Sequence, residues 1–252
     1  MLFYKMQATE NDFILTINQK FDSMQVQKLC DNHTGIGADG LINIENQRDI
    51  TIFNKDGSTA LMCGNGLRCV AKLLNNLTSK NEFRVFIEGN PIYLQCKDDF
   101  ATIKFEKPYF IKKKCDDGFF VDVKNKHFVK IVENIENFIF DENIKKFVRE
   151  NHCNYEVVEI VSKSFLKMRI FEYGVGETNS CGSGAIAVFF ALNEFLMVDD
   201  CVKINVPGGI LQVYKKEQNY FLKGEVVTVY KGEYLDVLWK SNFKTFRRER
   251  FL

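Results

Sequence analysis

Two short cysteine–glycine motifs have the residue types that acid–base chemistry at a carbon atom needs. They are Cys63-Gly64-Asn65-Gly66 and Cys181-Gly182-Ser183-Gly184, and they precede the apolar helical patterns Leu67–Leu74 and Ala185–Phe195. Glycine lets backbone N–H groups approach a ligand, because no Cβ stands in the way. The first turn of a helix leaves N–H groups unpaired and carries partial positive charge, so a carboxylate can bind there. The same field favours thiolate over thiol, and we expect it to lower the cysteine pKa below about 8.5.

The two motifs belong to an internal repeat with a constant spacing of 118 residues, from Cys63 to Cys181. Ile52-Phe53-Asn54 ends nine residues before the first cysteine, and Ile170-Phe171-Glu172 ends nine residues before the second. A strand, a loop, a glycine turn and a helix therefore recur in the same order. This pattern predicts two similar halves of about 120 residues that face each other across a pseudo-twofold axis.

If the two halves face each other, Cys63 and Cys181 also face each other, with a carboxylate-bearing substrate between them. A thiolate on one face of a carbon can remove its α-proton while a thiol on the other face delivers a proton, which inverts the centre. The helix N–H groups would stabilise the charge that develops on the carboxylate. Two alternatives stay open, namely structural glycine turns with incidental cysteines and a regulatory disulfide between the same two residues.

The composition is typical of a soluble globular protein. The 252 residues are 46% hydrophobic and 27% charged, and the formal net charge of +1 offers little attraction to nucleic acid or an anionic membrane. The longest apolar run, Ala185–Leu192, is far shorter than the roughly 20 residues that a membrane span needs. Charged and polar residues close to Met1 exclude an apolar signal core. We expect no nucleic-acid or membrane partner and a cytoplasmic location.

Signals for a metal or a cofactor are weak. The eight cysteines form no C-x-x-C pair, and the three histidines add no metal-ligand spacing. Gly35-x-Gly37-x-x-Gly40 has the letters of a dinucleotide-binding motif, but it follows a helical pattern and enters a strand, so it is interpreted as a turn. We expect no metal and no cofactor, and buried thiols at most of the other cysteines.

Strand-like segments dominate the chain, and the helical patterns are Gln25–Asn32, Leu67–Leu74, Glu142–Glu150 and Ala185–Phe195. This predicts an α+β fold of two similar mixed α/β halves, each with a central apolar helix, and an active site in the cleft between them. Charged residues are concentrated between Pro108 and Asp117. We therefore place the boundary between residues 1–112, which carry Cys63, and residues 113–252, which carry Cys181. The last strand or the tail could pack back on the first half.

Motifs along almost the whole chain resemble those of diaminopimelate epimerases, a family of two-cysteine, cofactor-free epimerases. The segments that carry the resemblance are Lys5-Met6, Asn11-Asp12-Phe13, Gly35-Ile36-Gly37-Ala38-Asp39-Gly40, Phe53-Asn54 with Asp56-Gly57-Ser58, Cys63-Gly64-Asn65-Gly66 with Arg68-Cys69, Asn125 with His127, Asn154, Gly176-Glu177-Thr178, Cys181-Gly182-Ser183-Gly184, Pro207-Gly208-Gly209 and Gly224 with Val226. The resemblance implies two similar α/β halves with the active site in the cleft between them.

The resemblance also implies roles for individual residues. Cys63 and Cys181 would be the two acid–base groups. Backbone amides of four residues would hold the substrate α-carboxylate: Gly64, Asn65, Gly182 and Ser183. Five residues would contact the remote end of a diamino diacid or order the site: Asn11, Asn54, Asn125, Asn154 and Glu172. Turn formation is the alternative role for the asparagines.

Departures from the family pattern concentrate at that remote end. The family usually has an arginine directly after the glutamate, where it pairs with the distal carboxylate, and this chain has Tyr173. A phenol donates one hydrogen bond but cannot supply the charged bidentate fork of arginine. Lys126 replaces the usual proline between Asn125 and His127, and Ala8-Thr9-Glu10 replaces the usual glycines before the Asn-Asp-Phe segment.

Three hypotheses follow. The first is epimerisation of LL-diaminopimelate to the meso form, which serves lysine or cell-wall precursor synthesis. The second is a related two-cysteine racemase for another amino acid, which Tyr173 favours. The third is a non-catalytic ligand-binding or thiol-redox protein on the same fold. The expected partner is a small amino-acid substrate, and a homodimer is left open.

Overall fold

The computed structural model describes residues 1–115 and 118–235, which form four helices and eighteen strands. The helices are α1 (Ser23–Cys30), α2 (Gly64–Thr78), α3 (Glu142–Asn151) and α4 (Gly182–Glu194). The strands are β1 (Leu2–Ala8), β2 (Asn11–Ile17), β3 (Gly40–Glu45), β4 (Asp49–Asn54), β5 (Thr59–Ala60), β6 (Glu82–Ile87), β7 (Asn90–Lys97), β8 (Phe100–Phe105), β9 (Tyr109–Cys115), β10 (Gly118–Asp122), β11 (Lys126–Ile131), β12 (Asn154–Ser162), β13 (Phe165–Glu172), β14 (Gly176–Thr178), β15 (Cys201–Val206), β16 (Gly209–Lys216), β17 (Asn219–Glu225) and β18 (Val227–Glu233). Hydrogen-bonded ladders connect these strands, which confirms the predicted α+β class.

The same order of elements occurs twice along the chain. In the first half, β2 lies parallel to β3, β3 lies antiparallel to β4, and α1 connects β2 to β3. In the second half, β11, β12 and β13 repeat these pairings, and α3 makes the connection. Both halves continue with a short strand, a central helix and a three-stranded antiparallel meander. The predicted pair of similar halves is therefore confirmed.

Strand pairs join the two halves at three places. β8 of the first half lies antiparallel to β17 of the second half, with Ile103 opposite Leu222. β18 pairs with β1, with Glu233 opposite Leu2, and β9 pairs with β10. The boundary predicted between residues 112 and 113 falls inside β9 and stays a prediction. Residues 116–117 of the predicted boundary region and the tail from residue 236 onward lie outside the described residues.

The central helices α2 and α4 lie within the main hydrophobic core. Leu67, Val70 and Leu74 of α2 are almost fully buried, and every residue from Ala185 to Asn193 of α4 is buried. Burying one such aliphatic side chain contributes roughly 1.5–3 kcal/mol, so the core holds both helices firmly in place. Both helices begin three residues before their predicted starts, because the glycine motifs form their first turns.

The outer helices α1 and α3 close two smaller hydrophobic clusters. Asp22 and Gln25 form a capping box at the start of α1, and Asp141 accepts a hydrogen bond from the backbone N–H of Ile144 at the start of α3. Both helices lie where the sequence patterns place them, to within two residues at each end. No helix in the described ranges combines the length and the apolar character that crossing a membrane requires.

Leu222 tests the packing at the junction of the halves. Its side chain is fully buried and lies beneath the starts of both central helices. Leu222→Ala should lower the free energy of unfolding by about 2–5 kcal/mol, since it leaves a cavity where both halves meet. Urea denaturation measures this change, and Leu196→Ala, at a side chain that is 83% exposed, is the matched control. Equal, small effects of the two substitutions would contradict the packing described here.

Candidate active site

Each motif cysteine is the N-cap residue of a central helix. Cys63 has an extended backbone, and its Sγ accepts a hydrogen bond from the backbone N–H of Gly66 at 3.4 Å. Cys181 has the same backbone conformation, and its Sγ accepts from Gly184 at the same distance of 3.4 Å. Both are free thiols. The repeat therefore gives two equivalent thiols, each at the positive end of a buried helix.

The two helix starts touch each other through glycine. A Cβ built on Gly64 would lie 3.2 Å from the Cα of Gly182, and a Cβ on Gly182 would lie 3.2 Å from the Cα of Gly64. Leu222 blocks the same space, since its Cδ2 would lie 2.8 Å from a Cβ on Gly182. Only glycine permits this approach, and the reciprocal distances reflect the predicted pseudo-twofold relation.

The expected depression of the thiol pKa values is wrong. Burial raises the pKa of Cys63 from its ordinary 9.0 to about 11, although the Gly66 amide and the Arg68 charge oppose this rise. Burial also raises the pKa of Cys181 well above 9.0, and the carboxylates of Glu172 and Glu156 add to the rise. A thiolate in this interior loses its hydration, and one or two helix N–H groups compensate only part of that loss. Both cysteines are therefore thiols in the free protein at neutral pH.

Glu172, the last residue of β13, lies within electrostatic reach of both cysteines. Its negative charge raises the pKa values of both Cys63 and Cys181. Its Oε1 accepts a hydrogen bond of 2.5 Å from the hydroxyl of Thr178. Burial raises the pKa of this carboxyl group. One carboxylate of the second half thus acts on the thiols of both halves, as expected for two thiols in one cleft.

A chain of hydrogen bonds leads from a buried histidine–glutamate pair to Cys181. His127 Nδ1 lies 2.5 Å from Oε1 of Glu156, and both side chains are inaccessible to solvent. The other ring nitrogen of His127 lies 3.0 Å from Oδ1 of Asn125, and the Asn125 amide donates to Ser183 Oγ at 3.4 Å. Ser183 Oγ lies 3.4 Å from Cys181 Sγ. Asn125 and Ser183, both predicted site residues, therefore link Cys181 to the histidine–glutamate pair.

A second set of contacts connects the first half to the segment before Cys181. Arg68 Nη2 donates to Thr9 Oγ1 at 2.8 Å, and Thr9 Oγ1 donates to Ser180 Oγ at 2.7 Å. Asn65 donates from Nδ2 to the backbone oxygen of Ser180 at 3.2 Å and to Asn11 Oδ1 at 3.3 Å. These contacts hold the two halves together beside the cysteines.

The β1–β2 turn reaches across to the second half in an unusual backbone conformation. Thr9 and Glu10 have φ values of 50° and 62°, in the left-handed region that glycine normally occupies. Glu10 accepts a hydrogen bond from Asn179 Nδ2 at 3.0 Å, so the side chains that replace the family's glycines make contacts between the halves. Contacts of this kind offset the strain, which typically costs about 1–3 kcal/mol per residue.

Of the residues predicted for the remote end, Asn154 and Tyr173 contact each other, whereas Asn11 and Asn54 contact residues of the first half. Asn154 is buried at the start of β12, and its Oδ1 accepts a hydrogen bond of 3.0 Å from the backbone N–H of Tyr173. The Tyr173 hydroxyl lies 2.9 Å from His152 Nδ1, and the tyrosine side chain is 46% exposed. Asn11 donates to Asp39 at 2.8 Å, whereas Asn54 donates to Ser58 within its own turn. The side-chain hydrogen bond of Asn54 is therefore one within a turn.

Several residues of this neighbourhood have no role in the predicted site, among them Thr9, Arg68, His127, His152, Glu156 and Ser180. Two signals were available: the family motifs contain Arg68 and His127, and Glu156 is a carboxylate inside the otherwise apolar sequence Tyr155–Val158. Among residues 1–115 and 118–235, no three His, Cys, Asp or Glu side chains are grouped as metal ligands.

Comparisons with known proteins agree with this geometry. A family model described as diaminopimelate epimerase matches residues 3–112 and 119–234 of the chain. The curated diaminopimelate epimerase of Halothermothrix orenii is 31% identical over 274 aligned residues, which cover 92% of this chain and 96% of that protein.

Solved structures share the fold at lower identity. A predicted epimerase from Pseudomonas aeruginosa superposes with a TM-score of 0.75 at 13% identity, covering 93% of this chain and 99% of that one. A hydroxyproline epimerase from Agrobacterium vitis, with bound trans-4-OH-L-proline, has a TM-score of 0.66 at 11% identity and covers 92% and 91% of the two chains. With the family match across both halves and both cysteine motifs, the chain belongs to the diaminopimelate epimerase family and is an isomerase of the epimerase type.

Proposed function

We propose that the chain converts LL-diaminopimelate to the meso form, with Cys63 and Cys181 as the two acid–base groups. The observation that carries this proposal is the meeting of two cysteine-capped helix starts at Gly64 and Gly182. A substrate carboxylate bound at these N-termini would have one thiol on each side of its α-carbon. The proposed partner is a small free amino acid, and the proposed chemistry uses no cofactor.

The proposed reaction is a balanced exchange of two protons. A thiolate takes the α-proton, the electron pair of the broken C–H bond delocalises into the carboxylate, and the opposite thiol donates its proton to the other face. The helix N–H groups stabilise the added charge on the carboxylate oxygens. The first cysteine ends as a thiol and the second as a thiolate, so proton exchange with water must restore the starting state.

The substrate itself would help to create the thiolate. Burial disfavours a thiolate in the free protein, and the substrate ammonium group would bring a positive charge to the pair. An opposite charge within about 4–6 Å favours the ionised form of a buried acid. Asn65 offers one acceptor for that ammonium group, since its buried Oδ1 has no hydrogen-bond partner in the part of the chain that the structure describes.

The remote end of the site supports a second candidate, a racemase for a different amino acid. Tyr173 and His152 form a hydrogen-bonded pair where the family resemblance implies an arginine. Their hydroxyl and imidazole groups do not reproduce a bidentate guanidinium fork. The structural relative from Agrobacterium vitis holds a substrate, trans-4-OH-L-proline, that has no second carboxylate.

Cysteine substitutions test the chemistry. Cys63→Ser and Cys181→Ser should each lower kcat by about 10²–10⁴-fold, because a serine hydroxyl is a much weaker acid than a thiol. The assay follows deuterium entry at the α-carbon and meso-product formation by NMR, with reduced protein and LL-diaminopimelate in D2O. Cys201→Ser, at an exposed cysteine on β15, is the matched control and should leave the rate unchanged.

The outcomes separate the candidates. Exchange with inversion supports the diaminopimelate assignment, whereas exchange that occurs only with another amino acid of a test panel keeps the thiol mechanism and changes the substrate. Binding without exchange for every amino acid tested would instead indicate a non-catalytic binding protein.

Thiol alkylation tests the effect of burial on the site. The rate of Cys63 alkylation in the free protein should keep rising as the pH increases towards about 11, rather than level off near 9.0. The reason is that only the thiolate reacts, and burial moves its formation to higher pH. Mass spectrometry of the Cys63 peptide after short iodoacetamide treatment gives the rate, and exposed Cys201 serves as the accessible reference. A plateau below pH 9.0 would contradict this account.

Tyr173 tests the substrate assignment. Tyr173→Arg should lower KM for LL-diaminopimelate about tenfold, because a charged hydrogen bond contributes about 1.5–3 kcal/mol. Tyr173→Phe, which removes only the hydroxyl that contacts His152, is the matched control. Steady-state kinetics on both variants measures the change. A loss of diaminopimelate affinity in Tyr173→Arg would favour the racemase candidate.

A further inference from the structure

The two halves share their backbone but differ in the residues beneath the cysteines. Phe13 of β2 pairs with Gly40, and His127 of β11 pairs with Asn154, each as the first pair of a parallel ladder. Phe13 and His127 therefore occupy equivalent positions in the two halves. A Cβ on Gly66 would approach Ile42, whereas a Cβ on Gly184 would approach Glu156. The first half therefore has a phenylalanine and an isoleucine at the two places where the second half has a buried histidine and a buried glutamate.

The same asymmetry holds at the ends of β4 and β13. Asn54 ends β4 and is neutral, whereas Glu172 ends β13 and its charge raises the pKa of Cys181. His127 carries at most one positive charge, and it interacts with the two carboxylates of Glu156 and Glu172. The side chains behind Cys181 thus contribute a net charge that is zero or negative.

The first half contributes a positive charge instead. Arg68 lies on the second turn of α2 and is completely buried, whereas the residue 118 positions later, Ile186, is apolar. Arg68 donates from Nη2 to Thr9, and among residues 1–115 and 118–235 its Nε and Nη1 have no hydrogen-bond partner. Within the described residues, the guanidinium group forms no ion pair with a carboxylate. Burying such a charge costs several kcal/mol, and a negative charge that forms nearby would offset part of this cost.

Cys63 is the acidic group that fits this requirement. Cys63 caps the helix that carries Arg68, and the Arg68 charge favours ionisation of its thiol; Cys69 and then Cys63 in turn favour the charged form of Arg68. Cys69 also lies near Arg68, but burial raises its pKa further than that of Cys63. Glu172 opposes ionisation at both motif cysteines, and Glu156 adds its opposition at Cys181.

We propose that Arg68 is a positioning residue for the reaction, whose unpaired buried charge places the thiolate of the cysteine pair on Cys63 and leaves Cys181 as the thiol. The pair then removes a proton first on the Cys63 side and donates one from the Cys181 side. The opposite stereochemical direction starts only after the thiolate has moved to Cys181 through proton exchange with water. The chemically symmetric site is therefore electrostatically directional.

This inference rests on the proposed two-thiol function, but its test uses the free protein without substrate. Iodoacetamide labelling over a pH series, with mass spectrometry of the Cys63 and Cys181 peptides, gives a titration midpoint for each thiol. Midpoints are compared instead of rates, because the two thiols differ in accessibility. In the unmodified protein, Cys63 should titrate at lower pH than Cys181.

Substitutions at position 68 identify the cause. Arg68→Met should raise the Cys63 midpoint by about one pH unit, which is about tenfold slower labelling at a fixed pH below it. Arg68→Lys, which keeps a positive charge, should restore most of the difference. Ile186→Met, at the equivalent position of the second half, is the matched control and should leave both midpoints unchanged. Replacing an unpaired buried charge by an apolar side chain of similar size is commonly tolerated, and circular dichroism checks the fold.

Two results would overturn the inference. One is a Cys181 midpoint below that of Cys63 in the unmodified protein, and the other is an unchanged Cys63 midpoint in folded Arg68→Met. If Arg68→Met does not fold, Arg68→Gln compared with Arg68→Lys decides the same question. Correct midpoints in a protein that inverts no amino acid would refute only the proposed function, whereas inversion with reversed midpoints would refute only the role of Arg68.

Discussion

The site depends on the backbone contact between the starts of α2 and α4. Gly64 and Gly182 approach so closely that a Cβ on either would press against the other helix and, at Gly182, against Leu222. This contact brings two helix N-termini to one place, and the residue that caps each of them is a cysteine. The burial of both helices, the β8–β17 pairing and the contacts of Thr9 and Ser180 all maintain this arrangement. Without the close approach, the chain would have two separate cysteine caps instead of one site.

Bringing two thiols into the interior has an electrostatic consequence. The interior suppresses ionisation of both, and the helix N–H groups reduce that effect without cancelling it. The halves then differ in charge, with Arg68 on one side and Glu172 and Glu156 on the other. A repeated fold thus supplies two equivalent positions, and substitutions within the repeat make their chemistry unequal.

Much of this arrangement could be predicted from the sequence, because it depends on residue types at fixed spacing. The repeated motifs located α2, α4 and the two halves, and the strand patterns indicated the α+β class. The apolar patterns place both helix starts three residues too late in the chain, because cysteine is not among the usual N-cap residues. The direction of the thiol pKa shift could not be predicted, because desolvation depends on what covers a residue in three dimensions. Glu156 and Thr9 gain their significance only through contacts with residues far away in the chain.

The pairing of β18 with β1 has a consequence for how the protein is made. Leu2 lies opposite Glu233, so β1 leaves the ribosome more than two hundred residues before β18, its partner on one edge, is synthesised. Until then, one edge of β1 lacks that neighbour, and unpaired strand edges are sites of intermolecular association. Native contacts of such long sequence separation also slow the final folding step. This edge of β1 is therefore open to association with other chains during most of synthesis.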